Sequence, residues 1–280
     1  MDAETVNTQY QGEFFFSYVL ESDSIIMKIA VILVMTMIFV VFFRIGILIM
    51  GYAFAIETDP IVVKGLKKGT KGVVIRQNPL YKDSVPILRS NNKNDGIEFT
   101  WSVWLFIDNL DYLKNQHRHI FHKGNNNIQM SQESERKGVN YPNNAPGLYI
   151  KPNSNTLLVI MNTFSNINEE VVVNDIPVQK WINVMIRVEG RNVDVYINGL
   201  VVVRRKLNDV PKQNYSDVWV NQNGGFSGQI SDLRYFDHAV SIGQVNNIIR
   251  KGPNLKTAEK FVSKAYPPYL SIDWFLNNDV

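Results

Sequence analysis

The chain has 280 residues, with 29 Lys and Arg against 26 Asp and Glu, a formal net charge of +3 and no cysteine. So mild a charge leaves no electrostatic footprint for nucleic acid, and a chain without cysteine has no disulfide framework. The missing cysteines fit a cytosolic domain better than a lumenal or secreted one.

Residues 1–24 form a short flank carrying Asp2, Glu4, Glu13, Glu21 and Asp23 and no Lys or Arg. Its cluster Phe14-Phe15-Phe16-Ser17-Tyr18 suits a membrane interface or a neighbouring protein. Residues 25–56 predict a transmembrane helix. From Ile29 to Ile56 the only charge is Arg44, and apolar side chains run all the way round. Such a helix is about 42 Å long at about 1.5 Å per residue, against a hydrocarbon core of about 30 Å. Arg44 is read as a side chain that snorkels to the interface, with a polar contact inside the membrane as the alternative. Lys28 and Tyr52 are the other membrane-boundary candidates. Ala53-Phe54-Ala55 has the look of a signal-peptide cleavage site, but the preceding flank is acidic and the apolar run too long, so the segment reads as an uncleaved anchor.

Residues 57–95 read as a basic connector that joins the edge of the next domain. Lys64, Lys67, Lys68, Lys71 and Arg76 lie just past the span, which puts this side in the cytosol and the N-terminus in the lumen or outside. Lys64, Lys67, Lys68 and Lys71 are candidates for contact with anionic lipid headgroups; a plain solvated linker is the equal alternative. Val73-Val74-Ile75 is a candidate short strand.

Over residues 96–255 the period changes to two. Phe99, Trp101, Val103, Leu105 and Ile107 make one apolar face, and Ile182, Val184, Ile186 and Val188 another. Val193, Val195 and Ile197 follow, and Asn198-Gly199 predicts a tight hairpin into Leu200–Leu207. Leu148–Ile150, Leu157–Met161, Val171–Val173, Val218–Val220 and Gln229–Phe236 predict further strands. One helix stands late: Ser241 with Gln244 is a capping-box pattern, Ile242, Val245 and Ile249 share a face, and Gly252-Pro253 stops it. Residues 256–280 form an aromatic tail, Tyr266-Pro-Pro-Tyr-Leu-Ser-Ile-Asp-Trp-Phe-Leu, expected to dock on this domain or on a partner. The fold class that follows is all-β: an antiparallel two-sheet sandwich of jelly-roll type behind one transmembrane helix.

The segments Gly96-Ile-Glu-Phe-Thr-Trp-Ser-Val-Trp-Leu, Trp181-Ile-Asn-Val-Met-Ile-Arg-Val, Val193-Asp-Val-Tyr-Ile-Asn-Gly-Leu and Gly225-Phe-Ser-Gly-Gln-Ile-Ser-Asp-Leu-Arg-Tyr-Phe-Asp-His-Ala, in that order, resemble the concanavalin A-like lectin/glucanase superfamily in its laminin-G-like branch. The resemblance covers residues 96–255 and speaks to fold more than to function. The order of anchor, basic connector and sandwich also resembles membrane proteins encoded by large DNA viruses.

Catalysis finds little footing. Glucanases of the superfamily carry Glu-x-Asp-x-x-Glu on a strand, and the chain has no such motif. The nearest pair, Glu133 and Glu135, sits in a polar loop with no apolar wall to raise a pKa. In His117-Arg-His119-Ile-Phe-His122 the first two histidines should share a strand face and His122 should point away, which suits an edge strand and not zinc. Calcium, which some laminin-G-like domains bind, has weak candidates in Asp175, Asp217, Asn221 and Asn223. Asn214-Tyr-Ser is a sequon that would be silent in a cytosolic domain. The polar segment Lys123 to Pro146 is the best candidate recognition surface, since loops this long are usually functional or disordered. Trp104, Phe106 and Tyr196 point to the second face of their strands, expected to be buried under the connector or the tail.

The expectation is therefore a non-enzymatic, membrane-anchored structural or interaction protein with no cofactor. Its partners would be the bilayer and other capsid or membrane-associated proteins, in its concrete form as a minor capsid or internal-membrane protein of a large DNA virus. A glycan-binding lectin module is the alternative.

Overall fold

A computed structural model describes residues 24–53, 57–93, 96–131 and 135–257. The chain divides into two units, Met1–Ile56 and Glu57–Val280. Residues 1–23, the aromatic tail from 258 onward and Glu133 of the acidic pair lie outside the described residues.

In the first unit, helix α1 (Ile25–Ala53) runs unbroken for 29 residues, and none of its residues is buried. Apolar side chains cover its whole circumference, so it has no stripe to lay on a protein surface. It is long and apolar enough to cross a membrane. Arg44 does not interrupt it. About 30 Å of hydrocarbon takes about 20 residues of helix, so a span that starts at Ile25 ends at Arg44.

The second unit is a sandwich of two antiparallel sheets. One stacks β1 (Ile61–Lys68), β13 (Ser227–Phe236), β4 (Gly96–Asn109), β9 (Trp181–Glu189), β10 (Asn192–Ile197) and β11 (Leu200–Lys206) in that order, with β3 (Asn91–Lys93) also on β4. The other stacks β2 (Val73–Ile75), β12 (Val218–Val220), β5 (Arg118–Lys123), β6 (Gly147–Ile150), β7 (Leu157–Met161) and β8 (Glu169–Val173). The expected apolar sets fill the space between the sheets: Phe99, Trp101, Val103, Leu105 and Ile107 meet Phe121, Leu148, Ile150, Val159 and Val220 in one core. Strand alternation turns one face of each sheet inward, which is why the period-two residues converge.

The hairpin and the helix form as the local chemistry dictates. Asn198 and Gly199 take φ of 51° and 85°, as the two-residue turn between β10 and β11 requires. Ser241 caps α2 (Ile242–Lys251) in a reciprocal capping box with Gln244, and Gly252 ends it at φ 67°.

Two expectations are revised. Residues 57–75 do join the edge, and Val73–Ile75 is the strand expected there, but the stretch is more than a connector: β1 pairs with β13 and β2 with β12, so it supplies an outer strand to each sheet. Bulges at two places in β1 and the positive φ of Gly65 (70°) break its period and hide it from a pattern reading. The second face of the β4–β9–β10 sheet is covered, but by α2. Met185, Tyr196, Phe236, Val240 and Val245 form a small outer cluster there. Trp104 is buried as well, and Phe106 stacks obliquely on Trp181 with ring centroids 5.7 Å apart. Past α2 the chain returns to β1, where Leu66 N donates to Lys256 O at 2.9 Å, and Ser231 Oγ donates to Asn254 O at 2.8 Å.

Candidate functional site

The segment from Lys123 to Pro146, as far as it is described, lies on the outer face of the β5–β6–β7 sheet. Its asparagines are structural. Asn140 and Asn144 are fully buried, and Asn162 from beyond β7 joins them. Asn144 Nδ2 donates to Asn140 O at 2.8 Å, while Asn144 Oδ1 accepts from Tyr149 Oη at 2.6 Å. Asn144 N donates to Asn162 Oδ1, and Asn162 Nδ2 donates to Pro142 O at 2.9 Å. Asn140 Nδ2 donates to Asn143 O at 2.7 Å. These amides satisfy backbone that no strand partner reaches. Below them Val139, Tyr149, Leu158 and Ile160 form an apolar patch on the outer face. The loop expected as the best candidate recognition surface is thus a roof held down at residues 138–140 and 144–146, while Asn126, Asn127, Met130 and Tyr141 remain exposed.

His119 and His122 sit under this roof, both buried, with ring centroids 4.8 Å apart. They were expected on opposite faces of an edge strand. Instead β5 lies between β12 and β6, and its register against β6 shifts between His119 and Phe121. That bulge turns a spacing of three into a shared face. Burial lowers the His122 imidazole to about 4 and holds that of His119 well below the usual histidine range, with His122 adding to the effect. His117 stands apart, its Nδ1 3.1 Å from Lys137 O. Two neutral, mutually bonded rings have no free lone pair for a metal.

The calcium candidates are scattered. Asp175 follows β8, at the far edge of the sheet from β12. Four strand spacings of about 4.8 Å put roughly 19 Å between those strands. Asp217 precedes β12 and accepts from Gln77 N at 2.8 Å. Asn221 and Asn223 follow it in a turn with φ of 51° and 53°, and Asn221 Nδ2 donates to Lys68 O at 3.2 Å. Among the described residues no group of three or more His, Asp or Glu could hold a metal ion.

The lysines separate too. Lys64, Lys68 and Lys71 are exposed and Lys67 is half-buried along β1 and its turn into β2. Lys28, Arg44 and Tyr52 are all exposed on α1. Asn214 is half-buried and its Nδ2 donates to Lys123 O at 3.0 Å. Strand β11 is the expected return of the Asn198-Gly199 hairpin, but its place at the open edge of the sheet was not legible in the sequence. Leu200, Val201 and Val202 are 73%, 47% and 46% exposed, and Arg204, Arg205 and Lys206 continue the strand in solvent. A sheet edge offers unpaired backbone groups, and here it joins an apolar tip to a basic stem. Asp194, 1% exposed, anchors that stem: Arg204 Nε and Nη2 reach its carboxylate at 2.6 and 2.8 Å, and Arg187 Nη1 at 3.2 Å.

Known proteins were compared with this architecture. A search of the curated proteins finds no match. Among solved structures, the receptor binding domain of botulinum neurotoxin C/D mosaic serotype aligns at 16% identity over 55% of this chain and 36% of its own, with a TM-score of 0.41. The botulinum neurotoxin serotype G binding domain aligns at 13% over 68% and 47%, with a TM-score of 0.44. The receptor binding domain of botulinum neurotoxin D aligns at 15% over 65% and 48%, with a TM-score of 0.42. The chain spans less than half the length of each of these three. The laminin G-type family profile matches residues 82–246, more than half of the chain. By that match and by its two-sheet fold, the chain belongs to the concanavalin A-like lectin/glucanases superfamily.

Proposed function

We propose that this protein is a single-pass membrane protein whose sandwich binds another protein and thereby ties a protein layer to a bilayer, without catalysis. The observation that carries the reading is α1: 29 residues, apolar on every side, none of them buried. The acidic flank before it and the basic stretch after it support an N-terminus in the lumen or outside and a sandwich in the cytosol. The open edge at β11 supports protein contact, because edge strands recruit partners through their backbone. The concrete form of this reading is a minor capsid or internal-membrane protein of a large DNA virus. A virion membrane taken from an internal organelle turns its cytosolic face toward the shell.

The second reading is a glycan-binding module, favoured by membership of a superfamily that takes its name from lectins. It needs the opposite topology. Protease added to sealed membranes separates the two. Digestion of the sandwich from the cytosolic side, with Asn214 unglycosylated, is the expected result. Protection of the sandwich with a sugar on Asn214 would overturn the proposed orientation and favour the lectin.

A further inference from the structure

Between the two sheets, at the end closed by residues 87–89 and 213–215, lies a cavity of about 100 Å³. Its walls carry buried hydrogen-bond donors from both sheets. Trp101 is 1% exposed, and its Nε1–H, which can only donate, has no partner. Tyr235, paired across the strands with Trp101 and 2% exposed, has Gln213 beside its hydroxyl but no well-formed hydrogen bond. Lys123 enters from β5. Its Nζ donates to Ser216 O at 2.6 Å, and an ammonium has two further protons to give. Arg89 stands exposed at the mouth. Ile87, Leu88, Phe99 and Ala145 give the cavity its apolar walls, and Gln213 and Asn214 add amides to the lining.

Buried donors are seldom left unpaired, so each one asks for an occupant. A sandwich core of this kind needs no indole N–H and no lysine. A Phe at 101 and a Met at 123 would fill the same space without desolvating polar groups.

We propose that this cavity binds a small organic carboxylate. The two carboxylate oxygens would accept from Trp101 Nε1, Tyr235 Oη and Lys123 Nζ, and a short apolar body would lie on Phe99 and Ala145. Among the described residues, Asp217 is the carboxylate that acts on Lys123. Burial nevertheless pushes the ammonium down to about 8, so desolvation outweighs what Asp217 contributes. A bound carboxylate offsets that desolvation through a charge-assisted hydrogen bond.

The test is ¹⁹F NMR of the full chain in detergent micelles, labelled with 5-fluorotryptophan and titrated with sodium butyrate at constant ionic strength. The chain has five tryptophans, and Trp101→Phe assigns the resonance. Butyrate should move the Trp101 signal saturably, and butyramide, the uncharged isostere, should not. Lys123→Met should weaken the response at least about tenfold, the worth of one charge-assisted bond. Tyr235→Phe should weaken it several-fold with the fold intact. No saturable shift would leave a cavity that holds water only and would overturn the proposal. So would an equal response to butyramide, or unchanged affinity in both variants.

Discussion

His119 Nε2 lies 2.6 Å from His122 Nδ1, and this contact fixes where both rings carry their protons. Gln222 N–H donates to His119 Nδ1 at 3.0 Å, so the proton of that ring sits on Nε2 and is given to His122 Nδ1. The proton of His122 then sits on Nε2, 2.8 Å from Asn125 O. Every nitrogen in the chain is satisfied only while both rings are neutral. A third proton would set a donor against a donor.

Acid should therefore loosen the sandwich. Both histidines titrate lower in the folded state than in the unfolded one. Between the two values the unfolded chain binds more protons, so stability rises with pH. The contribution is fully present above about 6.5 and is lost as pH falls toward about 4. For His122 alone this is on the order of 3 kcal/mol. Urea unfolding at pH 7 and pH 5 checks it. The midpoint should drop at pH 5, and His122→Phe, weaker at pH 7 by about 2–3 kcal/mol for the partners it strands, should show a smaller drop. An equal drop in both proteins would place the acid sensitivity elsewhere.

Asn144 and Tyr149 offer a second check, on the roof. Asn144→Ala leaves the Tyr149 hydroxyl without its acceptor in a fully buried site, at a cost of about 2–3 kcal/mol. Tyr149→Phe removes the group that would be stranded. In a double-mutant cycle the pair should cost clearly less than the sum, with a coupling of about 1–2 kcal/mol. Additive costs would mean that the asparagine network does not hold the roof down.

What could be read from the sequence was what local chemistry decides. Phe99 to Ile107 gave away β4 by alternation, Asn198-Gly199 its hairpin and Ser241 with Gln244 its cap. What could not be read depends on partners far along the chain. Asn144, Asn140 and Asn162 look like loop asparagines until the fold stacks them over Tyr149. His119 and His122 meet only through a bulge, whose one local trace is the adjacent pair Ile120-Phe121, both fully buried. Strand β1 carries Lys64, Gly65, Lys67 and Lys68, and two bulges erase its period, so it passes for a linker. The donors at Trp101 and Tyr235 sit in ordinary apolar strands, and only the cavity between the sheets sets them apart.

Gly225 marks where two turns press back to back. It has φ 54°, and a β-carbon there would lie 2.0 Å from Gly69 O. Phe226 N donates to that same carbonyl at 3.2 Å, and Gly69 N to Gly228 O at 2.8 Å. Gly225→Ala should destabilise by more than about 2 kcal/mol, combining the left-handed backbone with a contact that only main-chain movement relieves. Gly243, whose β-carbon would have nothing nearer than Ser241 Oγ at 3.9 Å, is the control. Gly243→Ala in helix α2 should be neutral or stabilising by up to about 1 kcal/mol. Thermal unfolding of both variants decides it.

The depth of α1 can be read by labelling, because a chain without cysteine gives single-cysteine variants no background. If Arg44 holds the interface, residues past it lie in the aqueous or headgroup zone. Ile49→Cys should then react with a membrane-impermeant maleimide, and Val34→Cys should not. Replacing the charge by Arg44→Leu removes a penalty of about 3 kcal/mol for burial and should let the helix slide, cutting the reaction at position 49 several-fold. Labelling at 49 that ignores Arg44→Leu would mean that some other group sets the register.

The last prediction concerns where the folding unit begins. The strands β1 and β2 bury Val62, Val63 and Ile75 in the main core. Side chains of this kind contribute about 1.5–3 kcal/mol each, or about 5–9 kcal/mol together. That matches most of the stability of a typical domain, about 5–15 kcal/mol. A fragment of residues 57–257 should fold and unfold in one cooperative transition. A fragment of residues 96–257, which keeps nearly all of the recognisable superfamily pattern, should not. It exposes the inner edge of each sheet, at β13 and β12, and two unprotected edges invite aggregation. Circular dichroism melts and soluble yield distinguish the two. A cooperative melt from the shorter fragment would return residues 57–75 to the role of a linker.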